Sequence, residues 1–148
     1  MSAFLPTTAA SKLEERIDGA VLVDGLPVRL VLSVPMAPYA WPRPHAAKRG
    51  GIYMPKAAKE AKMELQTHLI RLTAGLPPME GPVRFDYTFF RAIKRDNRKN
   101  GDGDNYEKWL WDSAIGILFV DDRQITKWSG EIDEAEVARV DLTLESRR

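Results

Sequence analysis

The sequence predicts an α+β domain in which a β-sheet carries packed helices, and three observations predict it. First, the 148-residue chain is 44% hydrophobic and has no cysteine, so it is long enough to bury one core without disulfides or a zinc–thiolate staple. Second, residues 55–74 place Ala58, Ala61, Leu65, Leu69 and Leu72 at helical spacing. Third, Val28–Val34 and Val83–Ile93 are rich in β-branched and aromatic residues and alternate in the manner of strands.

The remaining elements follow in order along the chain. Ser11 to Ile17 is a short helical candidate, and Ala20 to Val23 is an apolar run closed by the turn pair Asp24-Gly25. Residues 1–27 therefore read as an N-terminal extension without an assigned role, and residues 28–148 as the main domain. Pro35 to Pro44 holds four prolines, which forbids a helix or central strand and leaves an extended loop that could face a ligand. Pro55 suits the first turn of the long helix, and Gly75 followed by Leu76-Pro77-Pro78 ends it. After the second strand comes a polar loop, Lys94 to Gly101. Asp104 or Asn105 then caps a helix running to about Ile115, with Gly116 at its end. Ile117 to Val120 predicts a short buried strand, Asp121-Asp122-Arg123 a turn, Gln124 to Gly130 another strand, and Glu136 to Leu144 the last.

Charge is segregated along the chain although the formal net charge is only +1. Between Trp41 and Lys62 lie six basic residues (Arg43, Lys48, Arg49, Lys56, Lys59, Lys62) against Glu60 alone, and between Arg91 and Lys99 five (Arg91, Lys94, Arg95, Arg98, Lys99) against Asp96. From Asp102 to Glu145 twelve acidic residues face four basic ones. Basic blocks can neutralise phosphates, and an acidic segment can hold cations. The same pattern also fits an ordinary domain with solvated charged faces.

Within the acidic segment, Asp102 and Asp104 are two apart and share a side if the chain is extended there. Asp122 could return beside them on a strand that packs against the intervening helix. Carboxylates crowded together repel until a divalent cation neutralises them, and oxygen-only ligands suit Mg²⁺ or Mn²⁺. Lys108 lies one helical turn after Asp104, on the same face, where it could meet a phosphate or simply form a surface ion pair. Asp112 continues the stripe as a partner of Lys108 more than as a ligand, and Asn105 could serve only as a cap. The chemistry this set suits is metal-assisted phosphodiester hydrolysis.

Other classes fit less well. Residues 96–107 approach a calcium loop, but Arg98 stands where an oxygen ligand belongs and a strand precedes the loop where a helix is required. His45 and His68 have no ligand spacing between them. No nucleophile elbow and no Gly-Lys-Ser phosphate loop occurs, so no nucleotide cofactor is expected. Trp109, Trp111 and Trp128 could stack on bases but are more often core. The apolar runs are too short for a membrane span, and the first ten residues lack the pattern of a signal peptide, so the expected location is the cytoplasm.

The string Asp102-x-Asp104-Asn105-x-x-Lys108-x-x-x-Asp112, Gly116 and Asp121-Asp122-x-Gln124-Ile125 resembles the RusA family of Holliday junction resolvases. Upstream, the Pro-rich stretch with Arg43, then Lys48-Arg49 and Tyr53-x-Pro55-Lys56, is similar to that family's basic segment. The usual Arg-Pro-Arg or Ser-Val-Asn signature is replaced here by Trp41-Pro-Arg-Pro44. The resemblance implies a homodimer with a mixed β-sheet and packed helices that cuts two opposed strands of a four-way DNA junction with Mg²⁺ or Mn²⁺. It implies Asp102, Asp104 and Asp122 as metal-binding carboxylates, Lys108 as the essential lysine, and Asp121, Asn105 and Asp112 as supporting residues. Arg43, Lys48, Arg49, Lys56, Arg95, Arg98 and Lys99 are the expected DNA contacts. The host would be a bacterial cell, with the gene carried by a phage or prophage. Independently, two equivalent strands and one acidic cluster per chain argue for a two-fold pair. A nuclease for forks or flaps, and a non-catalytic junction-binding protein, are the alternatives.

Overall fold

The computed structural model describes residues 14–17, 19–42, 45–46, 52–93 and 103–148, with backbone alone at 14–15, 17, 45–46, 52–53 and 103–104. Strands β1 (Glu14–Ile17), β2 (Ala20–Val23) and β3 (Leu26–Val34) come first, followed by the small pair β4 (His45–Ala46) and β5 (Ile52–Tyr53). Helix α1 (Lys56–Leu72) leads to β6 (Val83–Ala92), and helix α2 (Gly103–Ala114) leads through a 3₁₀ turn (Asp122–Gln124) to β7 (Ile125–Ala135) and β8 (Arg139–Ser146).

Six strands form one sheet in the order β1-β2-β3-β8-β6-β7. The sheet is mixed: β6 and β7 run parallel, while the other neighbours are antiparallel. The parallel pair requires a crossover, and α2 is that crossover. Alternation puts Leu30, Leu32 and Val34 of β3, Val140, Leu142 and Leu144 of β8, and Val83, Phe85, Tyr87 and Phe89 of β6 on one buried face. Ala58, Ala61, Leu65 and Leu69 of α1 and Trp109, Leu110 and Ala114 of α2 join them in the core. The buried Trp109 indole also donates to the Ala61 carbonyl at 3.2 Å, tying the two helices together. The opposite face is polar: Ser33 donates to Asp141 (2.8 Å), Ser129 to Asp86 (2.7 Å), and Arg139 lies over the Phe90 ring.

The α+β class and the long helix follow the sequence pattern, and several local expectations are corrected. Glu14 to Ile17 is a strand paired with Ala20–Val23 and not the end of a helix over 11–17. Pairing partners across the hairpin outweigh weak helical propensity in so short a segment. The β2–β3 connection is a tight hairpin in which Asp24 (φ 52°) and Gly25 (φ 79°) are both left-handed, as a type I′ turn demands. Ala20 and Leu22 are buried, so the chain before Val28 contributes to the same sheet and core.

Ile117 to Val120 does not form a strand. It makes a turn with single bridges from Phe119 to Ile115 and to Met79, and Leu118 and Phe119 are buried by packing alone. Helix α2 begins at Gly103, which puts Asn105 inside its first turn and not at the cap. The strand expected over 124–130 runs instead from Ile125 to Ala135, because β6 pairs with every residue of it except Thr126, which is bulged out.

Candidate active site

Helix α2 places Lys108 and Asp112 one turn apart on one stripe, and their Nζ and Oδ2 atoms are 3.6 Å apart at the surface. Asp104 begins that stripe, about 12 Å of helix before Asp112. Its side chain and all of Asp102 lie outside the described residues, as do Arg43, Lys48, Arg49, Arg95, Arg98 and Lys99. Lys56 is described: it opens α1, is highly exposed, and lies 3.8 Å from Glu60.

The second half of the surface is the turn before β7. Asp121 is extended and accepts hydrogen bonds from the backbone N–H of Arg123 (2.9 Å) and from its guanidinium (2.9 and 3.2 Å). Gln124 locks the turn from the other side. Its Oε1 accepts from the backbone N–H of Val120 (2.7 Å) and of Asp121 (2.9 Å). Its Nε2 donates to the carbonyls of Met79 (2.9 Å) and Gly81 (2.8 Å), which anchors the turn to the chain entering β6. Asp121 and Gln124 thus form a capping box around the 3₁₀ turn. The spacing Asp-x-x-Gln is readable in sequence, but the two carbonyl partners come from a distant segment.

The two adjacent carboxyls are unlike. The Arg123 side chain is the main reason that Asp121 is held down to about 2. Asp122 moves the other way: partial removal from water raises its pKa first, and then come a shared hydrogen bond with Asp121 and the negative charges of Asp121 and Asp112. Arg123 is engaged by Asp121 and offsets this least. Asp122 is therefore a carboxyl pressed by other carboxyls, the state that a bound cation would relieve. The structure brings Lys108, Asp112, Asp121 and Asp122 to one surface. Among the described residues, no three His, Cys, Asp or Glu side chains are arranged to hold a metal.

An aromatic group backs this surface. Tyr87 of β6 donates to Glu107, and the Trp111 indole donates to the Tyr87 oxygen at 3.0 Å. Burial is the first cause that pushes the Tyr87 hydroxyl above its ordinary range. Trp111 meets Trp128 edge-on at 5.4 Å, and Trp128 remains half exposed while Trp109 is wholly buried. Sequence reasoning assigned no role to Tyr87, Glu107 or Gln124.

Fold and surface together define an α+β protein whose polar chemistry is concentrated where α2 meets the turn before β7. The family model of endodeoxyribonuclease RusA matches residues 35–145, so the chain belongs to the RusA family and is an endodeoxyribonuclease. That family acts on Holliday junction DNA. No curated protein matches the chain. Among the described residues no helix is long and apolar enough to cross a membrane.

Proposed function

We propose that the chain resolves Holliday junctions as a two-fold homodimer, using Mg²⁺ or Mn²⁺ at Asp102, Asp104 and Asp122. The observation that carries this reading is Asp122, a carboxyl set beside the negative charges of Asp121 and Asp112 on the surface that also carries Lys108. The donor set suits a hard cation: it is made of oxygens, and neither histidine nor cysteine belongs to it. When bound, the cation supplies an activated water and neutralises charge on the phosphate.

The remaining work falls to the chain's own side chains. Lys108 presents its ammonium to a non-bridging oxygen of the scissile phosphate, and Asp112, 3.6 Å away, orients that ammonium when no phosphate is present. Asp121 is committed to Arg123 and Gln124, so it fixes the turn and leaves Asp122 available. The basic blocks that include Arg43, Lys48, Arg49, Lys56, Arg95, Arg98 and Lys99 hold the junction arms through phosphate contacts.

The test is Asp104→Asn. It should abolish cleavage while leaving junction binding nearly unchanged, because the basic segments are untouched. A mutant that nicks junctions at the wild-type rate in Mg²⁺ would sink the assignment. Cleaving four-way, forked and linear DNA side by side distinguishes a junction resolvase from a fork or flap nuclease.

A further inference from the structure

Strand β7 is one of the two edges of the six-stranded sheet, the other being the four-residue β1: β6 pairs with β7 on one side, and no described strand lies on the other. It is eleven residues long, contains no proline, and is exposed along nearly its whole length. Its pairing with β6 is interrupted once, by a bulge at Thr126 near its start, so the regular stretch from Lys127 to Ala135 leaves unpaired N–H and C=O groups that can recruit another strand. On its helix side β7 also shows Trp128 and Ile132, which are 51% and 38% exposed.

We propose that β7 is the dimer surface, pairing antiparallel with β7 of a second copy about a two-fold axis at Gly130. The proposal rests on the homodimer reading above and adds the surface and the register. Because the two strands are identical, an axis normal to the sheet must pass where one residue faces its own copy. Centring on Gly130 sets Trp128 opposite Ile132, Lys127 opposite Asp133, and Ser129 opposite Glu131 of the second copy, each pair on one face.

The neighbouring registers are worse. Centring on Glu131 opposes two glutamates, and centring on Ile132 sets Glu131 against Asp133. Centring on Ser129 leaves Ile132 opposite Thr126 and Asp133 opposite Ile125. Lys127 and Asp133 have no ion pair among the described residues, and although Asp133 Oδ1 accepts from the Glu134 N–H (2.8 Å), its charge can still meet Lys127 across the axis. At Gly130 a Cβ would come within 2.7 Å of the Tyr87 ring, so the axial position is kept without a side chain on the helix side.

Sedimentation equilibrium of the full chain tests the charge pairs. Lys127→Glu or Asp133→Lys alone should raise the dimer dissociation constant about tenfold, since each change alters two symmetric pairs. The double variant Lys127→Glu/Asp133→Lys should restore the wild-type value, which also shows that the single variants fold. A nitroxide on Glu131→Cys, in a chain with no other cysteine, should show strong dipolar broadening, because the two labelled Cα atoms lie within about 10 Å across the axis. A dimer that ignores the charge changes, or one without broadening, overturns the β7 surface and leaves the homodimer reading standing. A wild-type chain that stays monomeric overturns that reading itself.

Discussion

Gln124 shows how one side chain can set the position of others. Four backbone groups depend on it, two in its own turn and two in the segment entering β6. Gln124→Ala should cost about 1–3 kcal/mol and lower Tm by roughly 2–10 °C in thermal unfolding. It should also slow cleavage by displacing Asp121 and Asp122. Arg123 has a separate role. In Arg123→Ala, Asp121 loses the chief cause of its depression and should titrate closer to the ordinary carboxylate range, which a ¹³C carboxyl NMR titration would read. The sign follows from linkage: a carboxyl lowered to about 2 stabilises the fold above its unfolded pKa and loses that contribution as pH falls towards 2. Acid unfolding of Arg123→Ala should therefore begin at higher pH than in the wild type. Asp122 has the opposite sign, since its raised pKa means that ionisation disfavours the fold. Asp122→Asn should leave the metal-free protein as stable as the wild type or more so at neutral pH, while abolishing cleavage. Helical spacing made the Lys108–Asp112 stripe legible. The division of labour between Asp121 and Asp122 was not legible, because it depends on which carboxyl captures Arg123.

Elements with a single buried stripe were the most legible. Helix α1 keeps Ala58, Ala61, Leu65 and Leu69 on one line and ends at Leu72 with Thr73 as its cap, two residues before the end expected at Ala74. Strand β6 alternates from Val83 to Phe90. Two elements were misread for the same reason, that their pairing partners define them more than their composition does. Strand β1 is Glu-Glu-Arg-Ile and holds its form beside β2; β7 carries Glu131, Asp133 and Glu134 and extends to Ala135 beside β6. Helix α2 starts on Gly-Asp-Asn, residues that suit a helix N-terminus but add little propensity to its first turn. The Trp109 ring, fully buried against α1, compensates. Trp109→Ala should cost about 3–5 kcal/mol and loosen the Lys108 and Asp112 stripe, measurable as a lower urea midpoint.

Across the whole molecule, charge separates by sequence position: basic blocks flank the chain before α2, and carboxyls gather from α2 to β8. This separation, together with the family string from Asp102 to Ile125, made the function class legible without any view of the fold. The sheet order was not legible, because no local pattern states that β8 inserts between β3 and β6. If the basic blocks bind phosphate, junction affinity should fall steeply with salt. The triple change Arg43→Ala/Lys48→Ala/Arg49→Ala should then reduce the log–log salt slope by about 3 while leaving the metal requirement unchanged. The measurement that tests the central claim most directly is cleavage of a synthetic four-way junction by the full chain with Mg²⁺ and with excess EDTA. The account predicts paired nicks on opposed strands in Mg²⁺ and intact, still-bound junction in EDTA. Equal cleavage in both conditions, or no cleavage in Mg²⁺ and Mn²⁺ by a protein that binds the junction, would contradict it.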